Sequence, residues 1–135
     1  MNQDHVIHAR NVTKTYGSLK AVDGLSFTVG PALCFGFLGP NGAGKTTMMK
    51  MVYGKTRRDT GHDSSIRVFG FDPLTDELRI KFFSGVVPQE NNLDEDLNVE
   101  QNLKVFSKFY RLPSGETKKR IGELLEFMEL SEKRR

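Results

Sequence analysis

Apolar and polar residues mix along Val6–Val12, and Leu25, Phe27 and Val29 take alternate positions within Ala21–Val29. That is the period of a half-exposed β-strand, so a pair of strands is predicted. Gly17 marks a turn between them, and Gly30-Pro31 breaks the second. Leu33-Cys34-Phe35-Gly36-Phe37-Leu38 is different: a continuous apolar run, expected as a buried parallel strand. Lys45–Tyr53 predicts a helix, with Gly54 where a C-terminal cap belongs. Lys55–Ser65 is polar and reads as a surface connection. A short strand is expected at Ile66–Gly70, a turn at Asp72-Pro73 and a short helix over Leu74–Phe82. Ser84-Gly85-Val86-Val87 predicts another buried strand, ending at Pro88-Gln89. From Asn98 the pattern turns helical. Asn98 suits an N-cap and Gln101, three residues on, a capping box. Val99, Leu103, Phe106 and Tyr110 share one face. Pro113 and Gly115 punctuate, and Ile121, Leu124, Leu125 and Met128 form a second stripe. Both stripes read as packing surface rather than as ligand sites.

Between the apolar run and the first helix stands Gly39-Pro40-Asn41-Gly42-Ala43-Gly44-Lys45-Thr46. It matches the phosphate-loop (Walker A) pattern G-x-x-x-x-G-K-[ST] at every fixed position, in the strand–loop–helix context the motif requires. The chemistry follows from the residue types. Glycines let successive N–H groups turn inward as an anion nest, and the helix start adds its positive dipole end. Lys45 would place an ammonium between the β- and γ-phosphates of a nucleotide, and the Thr46 hydroxyl would take one position on Mg²⁺. A glycine-rich turn with no ligand is the bland alternative, and agreement of motif with context argues against it.

Composition narrows the setting. In 135 residues, 27% are charged and 37% hydrophobic, as in one globular domain or part of one. The net charge of +3 is too small to argue for nucleic acid. The basic clusters Lys118-Lys119-Arg120 and Lys133-Arg134-Arg135 lie beside acids and read as solvated faces, so no nucleic-acid partner is expected. The single cysteine, Cys34, excludes a disulfide framework and fits a reducing compartment; within an apolar run it is expected to pack as a small hydrophobe. His5, His8 and His62 have no metal-ligand spacing with it. No apolar run approaches the roughly 18 residues of a membrane span, and Met1–His5 lacks the form of a signal peptide. The chain reads as cytoplasmic, with any membrane role exerted through a partner.

The loop Gly39–Thr47, Tyr16 ahead of it, and Val86-Val87-Pro88-Gln89 downstream together resemble the ATP-binding subunit of ABC transporters, over almost the whole chain. The resemblance implies an α/β fold: a P-loop NTPase core with a mixed sheet over residues 1–89, then the start of an α-helical subdomain over 90–135. It implies ATP and Mg²⁺ as cofactors. By it, the ATP-binding residues are Tyr16, Gly39, Pro40, Asn41, Gly42, Ala43, Gly44, Lys45, Thr46 and Thr47. Tyr16 would stack on adenine, a contact giving affinity with little base selectivity. Lys45 and Gln89 are the candidate catalytic residues and Thr46 and Gln89 the Mg²⁺ contacts, the glutamine amide serving cation and attacking water alike. The implied partners are a transmembrane permease subunit and a second ATPase subunit. The implied place is the cytoplasmic face of a membrane, and the activity is ATP hydrolysis coupled to export. Val87–Asp94 and Asn98–Leu103 look like the subgroup serving drug, polysaccharide and nodulation-factor export. The acids Asp94, Glu95 and Asp96 read as a solvated turn before a helix N-terminus.

The chain departs from that family in two ways. His62-Asp63-Ser64-Ser65 looks like an insertion in a surface connection. The signature L-S-G-G-Q, a strand ending in Asp and Glu, and a switch histidine have no counterpart in the sequence. The module therefore reads as incomplete, with this chain alone expected to bind nucleotide and not to hydrolyse it. A small phosphate-loop kinase, and a nucleotide-binding interaction module without turnover, remain the alternatives.

Overall fold

The computed structural model describes residues 5–61 and 63–133. The N-terminal Met1–Asp4, His62 of the expected insertion, and Arg134-Arg135 of the last basic cluster lie outside the described residues. The chain divides into two compact units between Val86 and Val87.

In the first unit, β1 (Ile7–Tyr16) and β2 (Leu19–Val29) form an antiparallel hairpin, turning at Gly17 with φ +57°. The strand β3 (Ser65–Val68) pairs antiparallel with the other edge of β1, so the sheet order is β2-β1-β3. One face of that sheet is covered by α1 (Lys45–Val52), whose Met48, Met51 and Val52 are buried with Ala9, Val12, Val22, Ile66 and Val68. Ile80 of α2 (Glu77–Phe83) is fully buried in the same core. Each buried Val, Ile or Met side chain contributes about 1.5–3 kcal/mol, and together they hold α1 against the sheet.

The expected parallel half of the sheet is not formed. Leu33–Leu38 and Ser84–Val87 adopt no strand and are largely exposed, Leu38 at 97% and Val87 at 96%. Cys34 is exposed with them rather than packed as a small hydrophobe. A doubly buried strand needs a hydrogen-bonded neighbour on at least one edge and cover on both faces. Among the described residues no strand pairs with either run. Phe35 instead stacks on Phe27 at a ring separation of 5.4 Å, and Phe37 packs edge-on against Phe27 at 5.1 Å and against Phe35 at 5.3 Å.

The connection from α1 to β3 is pinned by a charge pair. Arg58 Nη1 and Nη2 donate to Asp72 Oδ1 and Oδ2 at 2.9 and 3.1 Å, and Arg58 Nε donates to the Ser64 carbonyl. The two side chains are 9% and 15% exposed. Burial pushes the Asp72 carboxyl up, but the Arg58 bonds, the Leu74 N–H and the Arg58 and Arg67 charges outweigh it, leaving the carboxyl below its ordinary value. A carboxylate lowered on folding contributes stability above its unfolded pKa, and loses it as pH falls through the folded value. Asp72→Asn is therefore expected to cost about 2 kcal/mol at pH 7. In urea melts that cost should shrink as pH drops from about 4 through the lowered folded value. A cost independent of pH would show that the ionised state of Asp72 is not the source of the stabilisation.

The second unit contains α3 (Val99–Phe109), α4 (Ser114–Phe127) and a 3₁₀ turn at Ser131–Lys133. The capping box is present: Gln101 N–H donates to Asn98 Oδ1 and Asn98 N–H to Gln101 Oε1, both at 2.9 Å. The buried Asn102 Nδ2 donates to the carbonyls of Asp94, Leu97 and Asn98, and its Oδ1 accepts from Asp94 N–H. Of the second apolar stripe, Ile121 and Leu125 are buried while Leu124 and Met128 are half exposed. Gly115 does not punctuate. It lies in the first turn of α4, where Pro113 is the N-cap and a helix N–H has no intrahelical acceptor to lose.

Candidate functional site

The loop Gly39–Gly44 leads directly into α1. Its glycines take φ values of +153° (Gly39), +85° (Gly42) and +80° (Gly44), a region that side chains disfavour. Ala43 N–H donates to the Pro40 carbonyl at 3.3 Å, closing the loop on itself, and Met48 N–H donates to the Gly44 carbonyl at 2.8 Å, opening the helix. Gly44 is the N-cap and brings no side-chain cap. The first-turn N–H groups of Lys45, Thr46 and Thr47 thus stand at the positive end of α1, which favours an anion.

Lys45 Nζ donates to the Gly39 carbonyl at 2.8 Å and to the Pro40 carbonyl at 2.7 Å. The side chain is folded over the loop, so its ammonium and the loop backbone share one locality. Thr46 is exposed and Thr47 half-buried, with Pro40, Asn41, Gly42 and Ala43 exposed on the loop. The loop rests on β2. A Cβ at Gly44 would lie 2.1 Å from the Ala21 carbonyl oxygen and 3.2 Å from Val22 Cγ2. Ala21, Val22 and Asp23 line, with Phe37, Lys45 and Met48, a cleft of about 290 Å³ beside the loop. The Ala21 backbone escaped the sequence reading because a main-chain contact leaves no residue signature.

Tyr16 ends β1 opposite Leu19 in the hairpin of this same unit. The residue is 48% exposed, with Lys14 Nζ 5.0 Å from the ring centroid. A ring with exposed surface and a cation at one face is suited to stacking an aromatic group on the other. Gln89 belongs to the second unit, exposed in the irregular segment between Val87 and Asn98. The loop, its helix and Tyr16 are thus elements of one compact unit, and Gln89 is carried by the other.

The residues of the loop fit a polyphosphate: nest-forming glycines, an uncapped helix start and an ammonium. They also offer a hydroxyl suited to a hard cation, Thr46.

Comparison with known proteins gives the family. A family profile described as ABC transporter matches residues 22–135. A Nod factor export ATP-binding protein I of Ralstonia nicotianae is 41% identical over 128 residues, covering 95% of this chain and 39% of that protein. One from Rhizobium meliloti is 45% identical over 128 residues, covering 94% of this chain and 37% of that protein. The chain thus spans about two fifths of the length of these curated relatives. Among solved structures, cbiO1 from Clostridium perfringens, described as part of the ABC transporter complex cbiONQ, superposes with a TM-score of 0.81 at 20% identity. It covers 98% of this chain and 53% of that one. A nucleotide-free ATP-binding cassette from an ABC transporter superposes with a TM-score of 0.72 at 23% identity, covering 96% of this chain and 56% of that one. At such identities the superpositions establish the α/β fold.

Proposed function

The chain belongs to the ABC transporter family, and we propose that it is the ATP-binding portion of a transporter ATPase. The observation that carries the reading is the Gly39–Thr46 loop: three positive-φ glycines, an uncapped helix start, and Lys45 folded onto the loop carbonyls. In this reading the backbone N–H groups of Gly39 and of Asn41 through Thr47 hold the phosphates. Lys45 exchanges its carbonyl partners for β- and γ-phosphate oxygens, and Tyr16 stacks on adenine. Thr46 would hold Mg²⁺, which would offset the phosphate charge, and Gln89 is the further candidate for contacting it. Residues 1–89 then act as the nucleotide-binding core, and residues 90–135 as the beginning of a helical subdomain.

Nucleotide binding is proposed for this chain and turnover for the whole transporter. That assembly pairs it with a transmembrane permease and a second ATPase subunit, at the cytoplasmic face of a membrane. Among the described residues no helix is long and apolar enough to cross a membrane, so on this reading membrane attachment runs through the permease. The Nod factor export relatives favour export as the direction.

The test is equilibrium binding of a fluorescent ATP analogue with and without Mg²⁺. Saturable binding is expected, weakened about 10-fold by Tyr16→Ala through lost stacking and preserved by Tyr16→Phe. GTP should compete nearly as well as ATP, since a stacked ring does not read base edges. Absence of saturable binding would overturn the reading, and acceptor-dependent phosphoryl transfer would favour a kinase instead.

A further inference from the structure

We propose that the cleft between α3 and α4 is a binding site for a phosphate monoester dianion. The cleft measures about 380 Å³ and is lined by Lys104, Lys108 and Lys118 together with Ser107, Ser114 and Thr117. That volume is in the range of small-ligand sites. Lys104 and Lys108 are one helical turn apart on α3, and Lys118 reaches the same space from α4. Like charges at this spacing repel, so the arrangement favours a compensating anion.

Glu100 supplies part of that compensation, bonding Lys104 at 2.8 Å. Among the described residues neither Lys108 nor Lys118 has an ion-pair partner, whereas the adjacent Lys119 and Arg120 pair with Glu123 and Glu116. Lys108 and Lys118 therefore bring two positive charges to one cleft, which match the charge of a phosphate monoester above its second pKa of about 6. The Ser114 hydroxyl adds a donor, and Leu112 gives an apolar wall for the ester carbon. Ser107 and Thr117 use their hydroxyl protons on the carbonyls of Lys104 and Leu112, so the lysines carry the recognition. The phosphate has two sources, a soluble ester or the terminal phosphate of a lipid headgroup.

The test uses the full chain carrying Lys45→Ala, so that the phosphate loop does not contribute. Backbone amide resonances of Ser107, Lys108, Ser114 and Lys118 are followed during titration with glycerol 3-phosphate. In parallel, flotation is measured with phosphatidylcholine vesicles with and without phosphatidic acid. A saturable shift at these residues is expected, stronger above pH 6 than below. It should weaken about 100-fold in Lys108→Gln/Lys118→Gln, from the loss of two charged contacts, and stay unchanged in Lys119→Gln. Binding to glycerol 3-phosphate alone identifies a soluble ester, and binding to phosphatidic acid vesicles alone identifies a lipid. Binding to neither probe, or equal loss in Lys119→Gln and the double variant, overturns the proposal.

Discussion

Lys45→Ala is expected to lower ATP affinity about 100-fold, the loss of two charge-assisted contacts at roughly 1.5 kcal/mol each. The side chain stands at the start of α1, and its Nζ donates to loop carbonyls, those of Gly39 and Pro40. The residues that hold α1 in the core are Met48, Met51 and Val52, so the substitution leaves the packing intact. The loss should therefore appear in binding and hardly in a urea melt. Lys50→Ala, on the same helix and outside the loop, is the control and should retain affinity. Lys45→Arg should not rescue fully, because a planar guanidinium is a poor replacement for a compact ammonium under a tight loop. Unchanged ATP affinity in Lys45→Ala would discredit the loop assignment, whatever the fold comparisons say.

What was legible in the sequence and what was not separate along a physical line. The loop, the hairpin turn at Gly17 and the Asn98 capping box were legible because each is a local requirement. A glycine is needed where φ is positive, and a short amide or hydroxyl is needed where a helix starts. The runs Leu33–Leu38 and Ser84–Val87 were misread because a buried parallel strand is a non-local statement. Their composition answers to neighbours on each edge and face, and among the described residues no strand supplies the hydrogen-bonded edge. Cys34 inherits the same error. Gly115 was misread in the opposite sense, since a glycine in the first turn of a helix gives up no intrahelical bond. The Arg58–Asp72 pair, 14 residues apart, and the Asn102 clamp on Asp94–Asn98 had no pattern to announce them. In both cases a polar side chain is buried by packing that only the folded chain defines. Tyr16 stands between the two cases. The first strand was expected to end at Val12 with Tyr16 beyond it, whereas β1 runs on to Tyr16, and the exposed ring and the Lys14 cation beside it come from the hairpin register.

The same distinction separates two glycines of the loop that look interchangeable in the motif. Gly42 and Gly44 both have positive φ, at +85° and +80°. Around Gly42 a Cβ would meet nothing within 4 Å, whereas at Gly44 it would lie 2.1 Å from the Ala21 carbonyl oxygen. Gly42→Ala therefore faces only left-handed backbone strain, about 1–2 kcal/mol, and should fold. Gly44→Ala faces that strain and a collision with the Ala21 main chain, because the atom it strikes belongs to the backbone of β2 rather than to a rotatable side chain. Relief requires the N-terminus of α1 to lift from the sheet, exposing Val22 and Met48, each worth about 1.5–3 kcal/mol when buried. Gly44→Ala should cost at least about 3 kcal/mol in urea unfolding and lose ATP binding. Gly42→Ala should cost less than half as much and keep part of its affinity. Equal costs for the two substitutions would mean that close approach to Ala21 does not position the loop. A Gly44→Ala protein that melts and binds like the parent would show that the loop is held from elsewhere.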